Sequence, residues 1–168
     1  MKKLSALFLS LILLAGCSNA ASQEKLKIET YKTMYTDILN ASAFKTSSDY
    51  FSVSASINDM GNGTYRYDVI VDEAKVAMYD VEILLIQDDG SLVISDKMMP
   101  SVGIFEGLTY YMIPYQANAE ANYVKGFGLN GISSLVPIRL KMVVRWKDAQ
   151  TKAFEEYFQF TLTPAVPA

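Results

Sequence analysis

The sequence predicts a mainly β protein, a two-sheet antiparallel sandwich preceded by one amphipathic α-helix. Three observations carry that reading. Apolar residues recur at steps of three and four between Ser22 and Ser42; after Asp49 the period switches to two; and seven or eight short alternating runs, separated by turn residues, then continue to Leu162. Helical runs between the strands, which an α/β sheet would require, do not occur in that region.

The chain opens with Met1-Lys2-Lys3, an unbroken apolar run from Leu4 to Leu14, and the small residues Ala15 and Gly16 before Cys17. Two lysines, a short apolar segment and a small-residue ending make the pattern of a secretory signal too short to span a bilayer. Leu14-Ala15-Gly16-Cys17 resembles the lipobox of bacterial lipoprotein precursors. The resemblance implies cleavage after Gly16, a diacylglycerol thioether on Cys17, and acylation of the new amino group. It divides the chain into a signal peptide at 1–16, a lipidated tether at 17–23, a helix at 24–42 and the sandwich at 49–164. The implied localisation is export, with lipid anchoring at the outer face of the cytoplasmic membrane or in the outer membrane.

Composition bears on the same question. Cys17 is the only cysteine, so no disulfide can form within the chain, and the 152 residues from Cys17 onward must stand on a hydrophobic core, for which that length suffices. Acyl chains contribute about 0.8 kcal/mol per buried methylene, enough for anchoring without a transmembrane helix. Without Lys2 and Lys3, 13 basic residues face 18 acidic ones, a formal charge of −5, which opposes broad binding to nucleic acid.

Ser18 to Gln23 reads as a short flexible tether. In the helix that follows, with Ser22 as N-cap, Leu26, Tyr31, Met34, Tyr35, Ile38 and Leu39 are the recurring apolar positions, and the Tyr31/Tyr35/Ile38 stripe is expected to pack on the domain behind it. Phe51, Val53, Ala55 and Ile57 alternate with serines and Asn58, and Asp59 to Gly63 turns the chain into Tyr65, Tyr67, Val69 and Val71. The hairpin is expected to set Ile57 opposite Tyr65. Val76 to Gln87 contains Val81 to Ile86, apolar on both parities as a central strand would be, and Asp88-Asp89-Gly90 leads to the short run Leu92-Val93-Ile94. Glycines and prolines punctuate Lys97 to Ile132, leaving strands near Leu108 to Met112 and Asn122 to Leu129.

The last two strands specify their own pairing. Ile138, Leu140, Met142, Val144 and Trp146 share one parity, and Phe154, Phe158, Phe160 and Leu162 share another. Pairing Trp146 with Phe154 sets Met142 opposite Phe158 and Arg145 opposite Glu155, a cross-strand ion pair worth about 0.2–1 kcal/mol. Glu156 falls on the inward parity, which suggests a bulge or a sheet end open to water. Trp146 is expected to plug the core. The outline is similar to immunoglobulin-like and fibronectin-type-III-like domains, without the cysteine, tryptophan, cysteine spacing of true immunoglobulin domains.

The chain has no histidine, which removes the commonest general base, the commonest transition-metal ligand and every Ser/His/Asp or Cys/His arrangement. The sequence therefore predicts a non-enzyme with no catalytic residue, no metal and no cofactor. Ser22-Gln23-Glu24-Lys25 matches S-x-x-K but lies in the tether with no K-T-G partner. Gly126 to Gly131 matches G-x-G-x-x-G, yet a strand follows where a phosphate-binding loop needs a helix N-terminus, so these glycines are assigned to turns or bulges. The acid pairs Asp72-Glu73, Asp88-Asp89 and Glu155-Glu156 lack calcium-loop spacing. Met98-Met99-Pro100 is a thin copper site and reads better as loop or core filling.

One cluster remains for recognition. Tyr110, Tyr111, Tyr115, Tyr123 and Phe127, with Phe105, crowd the irregular third, and tyrosines on loops at the end of a sandwich give large contact area at small entropic cost. The reading is a lipid-anchored extracytoplasmic module binding a protein, peptide or glycan through these residues; the alternative is an accessory subunit of an envelope assembly docked through the helix, with a carboxylate hydrolase behind both.

Overall fold

The computed structural model describes the backbone of residues 2–88 and 98–164, and side chains from residue 20 onward. Its elements are α1 (Lys2–Asn40), β1 (Ser52–Asp59), β2 (Tyr65–Asp72), β3 (Tyr79–Gln87), β4 (Ser101–Val102), β5 (Gly126–Ser133), β6 (Ile138–Lys147) and β7 (Ala153–Leu162). They form a three-stranded sheet, β1-β2-β5, and a four-stranded sheet, β4-β3-β6-β7, antiparallel throughout. The fold is the expected immunoglobulin-like sandwich preceded by one helix.

Alternation explains the interior. Tyr67, Val69 and Val71 of β2, Phe127 and Leu129 of β5, Val81, Ile83 and Leu85 of β3, and Leu140, Met142 and Val144 of β6 meet between the sheets. The pairing of β6 with β7 follows the expected register without interruption, Trp146 opposite Phe154 and Arg145 opposite Glu155. Trp146 is buried, stacked on Phe154 at 5.4 Å and edge-on to Phe51 at 5.7 Å.

The helix adds a third layer. Tyr31, Met34, Tyr35 and Ile38 are buried against Leu84 and Ile86 of β3, Val143 of β6 and Ile104. This second cluster explains why β3 is apolar on both parities: odd residues face the other sheet and even ones face the helix. Each buried side chain of the stripe contributes about 1.5–3 kcal/mol before ordering entropy is counted. Lys27 donates to the Phe105 carbonyl at 2.8 Å, the Tyr31 hydroxyl accepts from the Met99 N–H at 3.1 Å, and Asp37 pairs with Arg145 at 2.6 Å. The helix thus crosses the sheet from the β4 side toward β7, where the Lys45 N–H donates to the Tyr157 carbonyl at 2.8 Å.

Several expectations are corrected. Residues 18–23 are helical rather than a flexible tether, and Ser22 lies inside α1 instead of capping it, because the Leu-, Ala-, Gln- and Glu-rich stretch on both sides favours helix continuation. In the first hairpin Ile57 faces Tyr67 and Asp59 faces Tyr65. The loop is longer than a two-residue turn: the Asp59 carboxylate accepts from the Gly61 N–H and the Asn62 side chain from the Thr64 N–H, and the slip of two preserves which face is buried. Tyr111 and Met112 make isolated bridges, to Tyr123 and Met78, rather than a strand over 108–112, and the strand placed at 122–129 lies at 126–133. Leu92-Val93-Ile94 falls outside the described residues. Glu156 sits at neither a bulge nor an open end; it is buried and takes an ion pair from Lys45.

Candidate functional site

A cleft of about 1170 Å³ lies at one end of the three-stranded sheet. Its floor is the outer face of β2 and β5 at Ile70, Gly126 and Gly128, and its walls are Glu73 to Lys75 and Ile113 to Ala117. Local chemistry builds it tightly. A Cβ on Gly126 would meet the Asp72 Cβ at 2.5 Å and the Val71 carbonyl at 2.7 Å, so only glycine lets β5 start so close to β2. A Cβ on Gly128 would meet nothing within 4 Å, so bare backbone faces the cleft there.

Glu73 and Tyr115, both in the walls, have φ values of 48° and 63°, the left-handed region that non-glycine residues seldom occupy. Tyr115 is fully exposed. The Gln116 N–H donates to the Ile113 carbonyl at 3.1 Å across Tyr115, and beyond it Asn118 and Tyr123 exchange backbone hydrogen bonds of 2.9 and 3.0 Å around a short 3₁₀ turn, Ala119–Ala121. Charges in the cleft are partly spoken for: Glu73 accepts from the Ser52 hydroxyl at 2.8 Å, and Lys75 reaches the Ser48 carbonyl at 3.4 Å. Asp72 and Lys125 have no ion pair among the described residues.

The structure separates the aromatic residues that the sequence grouped. Tyr115 stands alone on the cleft wall. Phe127 is a core residue, met edge-on by half-buried Tyr110 at 5.5 Å. Tyr111 packs on Tyr123 at 5.0 Å and on Tyr79 at 5.8 Å, a three-ring cluster that supports the loop base. Phe105 belongs to the helix interface, 5.6 Å from Tyr31. The G-x-G-x-x-G glycines serve neither turns nor bulges: all three lie within β5, whose register with β2 is unbroken. Two of them permit close packing, Gly126 against β2 and Gly131 beneath the Tyr67 ring.

No family model, curated protein or solved structure matches this chain.

The acid pairs are likewise dispersed. Asp88 pairs with Lys141 at 3.4 Å, Glu155 with Arg145 at 3.3 Å and Glu156 with Lys45, while only Asp72 and Glu73 reach the cleft. Among the described residues no three acidic, histidine or cysteine side chains gather where a metal ion could be held. Met98 is exposed, and Met99 packs against the helix cluster. A second cleft of about 560 Å³, between Asp80, Glu82, Arg145, Lys147 and Glu155, binds its own charges: Lys147 meets Asp80 at 2.8 Å, and Arg145 bridges Asp37 and Glu155. Sequence reading missed Ile70, Ile113 and Lys125. Ile70 carried a signal, an apolar residue on the solvent parity of β2 beside Arg66 and Asp68.

Proposed function

We propose that the protein is an exported, lipid-anchored, non-enzymatic binding module, tethered through Cys17 and presenting the Tyr115 cleft to a protein, peptide or glycan outside the cytoplasmic membrane. The observation that carries this reading is the cleft, where a fully exposed tyrosine on a backbone-bonded loop overlooks an open floor of Ile70 and two glycines. Exposed aromatic residues on ordered loops are efficient recognition groups because little rotamer entropy is lost on contact. Among the described residues no helix is long and apolar enough to cross a membrane, so attachment rests on the lipid that Leu14-Ala15-Gly16-Cys17 would receive. An accessory subunit docked through α1 is less favoured, since Tyr31, Met34, Tyr35 and Ile38 already lie buried on β3 and β6.

The test has two arms. Cells expressing the full chain and fed an alkynyl palmitate analogue should label the protein, and Cys17→Ser should abolish both label and membrane retention; undiminished label in Cys17→Ser would overturn the anchor. Separately, detergent-purified protein is screened on glycan and peptide arrays. Tyr115→Ala should weaken the captured ligand about tenfold, and unchanged capture would remove the cleft.

A further inference from the structure

Each sheet has two edge strands, and the four differ in length, charge and cover. Strand β4 has two residues. Strand β7 is met by Lys45, which bridges Phe158 and donates to the Tyr157 carbonyl. Strand β1, also eight residues long, ends on the charged Asp59 and runs near β7. Strand β5 differs. Its eight residues, Gly126–Ser133, contain no proline and no charged side chain, and its pairing with β2 has no bulge. Among the described residues its backbone makes no hydrogen bond outside that pairing. Lysines, prolines, bulges and short length are the devices by which edges repel further strands, and β5 has none of them.

Unpaired N–H and C=O groups repeating every two residues are complementary to another extended polypeptide, which supplies the same repeat in return. The hydroxyls of a glycan do not. Gly126, Phe127 and Gly128 of this strand line the cleft, where Lys125 and Asp72 make neither an ion pair nor a side-chain hydrogen bond among the described residues and would suit a ligand carrying both signs. We infer that the cleft binds an extended peptide of mixed charge, which adds as a further strand to β5 over Gly126 to Asn130. This inference rests on the reading of the cleft as a binding site and names its ligand class.

The test pans a display library of random dodecapeptides against the detergent-purified full chain. Selected peptides should slow amide hydrogen exchange at residues 126–130 about tenfold, and N-methylation along the peptide should weaken binding with a two-residue period. Gly128→Lys, whose side chain enters open space, should abolish binding with an unchanged melting temperature, and Lys125→Glu should reselect peptides enriched in Lys and Arg. Peptides that bind without the two-residue period, or without protecting 126–130, would overturn strand addition while leaving the cleft a binding site. A glycan captured in a Tyr115-dependent way, with no peptide selected, would overturn the peptide and keep the cleft. No ligand of either class would overturn both.

Discussion

Replacing Lys45 by Met should cost far more than replacing its partner Glu156 by Leu. Glu156 is 4% exposed on an inward position of β7, opposite Val144, and its Oε1 receives the Lys45 ammonium while its Oε2 is buried without a hydrogen-bond partner. Removing one member of a buried pair costs about 3–5 kcal/mol because the other charge stays uncompensated. The low end applies to Lys45→Met, since the lysine side chain is 51% exposed and water can partly replace it. In Glu156→Leu the orphaned ammonium simply swings into solvent and an apolar side chain enters an apolar layer, so the change should lie within about 1 kcal/mol of wild type. The double variant should recover most of the loss, giving a coupling of about 2–3 kcal/mol. Urea unfolding measures it: with a slope of about 1–3 kcal/mol/M, Lys45→Met should lower the midpoint by about 1–3 M. A midpoint unmoved in Lys45→Met, or a larger loss in Glu156→Leu, would refute the argument that Lys45 makes this carboxylate tolerable.

The other predictions concern the helix, the β5 glycines and pH. Ile38→Ala, in the fully buried stripe, should cost about 2–5 kcal/mol, whereas Leu26→Ala on exposed helix should stay within about 0.5 kcal/mol; equal losses in thermal melts would deny that α1 is docked through this stripe. Gly131→Ala drives a methyl to 2.2 Å from the Tyr67 hydroxyl under a buried ring and should cost about 1–3 kcal/mol. Gly128→Ala should be near neutral by the same melts, and a reversed order would show that the close approach is not there. Burial, with a smaller push from Asp80 and against the pull of Arg145 and Lys147, raises the Glu82 carboxyl above its ordinary range. The ionised form is therefore disfavoured by folding, and stability is lost as pH rises through the folded value. Glu82→Gln should be more stable than wild type at neutral pH and lose that advantage below about pH 4, where the carboxyl is protonated in both states; a pH-independent difference in urea midpoints would contradict this.

Much of the fold was legible because short-range chemistry writes it. The parity of Ile138 to Trp146 and of Phe154 to Leu162 excludes a slip of one, which would turn the inward aromatic residues to solvent, and the opposite charges of Arg145 and Glu155 select among the even slips. The first hairpin was less determined: a slip of two keeps the same faces buried, and the choice fell to the Asp59 and Asn62 side chains in the turn. Glu156 broke the pattern for a reason no local reading contains, because its partner Lys45 lies 111 residues away in sequence. The recognition residues were legible in kind but not in place. Tyr110, Tyr111, Tyr123 and Phe127 look like Tyr115 in sequence, and only packing makes four of them supports and one of them surface.

By itself the sequence determined the class of fold, the helix stripe, the β6–β7 register and the absence of imidazole, all of which follow from residue type and periodicity. It also supplied Leu14-Ala15-Gly16-Cys17, a signal written in linear order. Tertiary structure decided where the helix lies, which strands end at the sheet edges and which tyrosine meets solvent. Those depend on side chains from distant segments competing for the same space, and on which backbone groups find a partner once the sheets have closed.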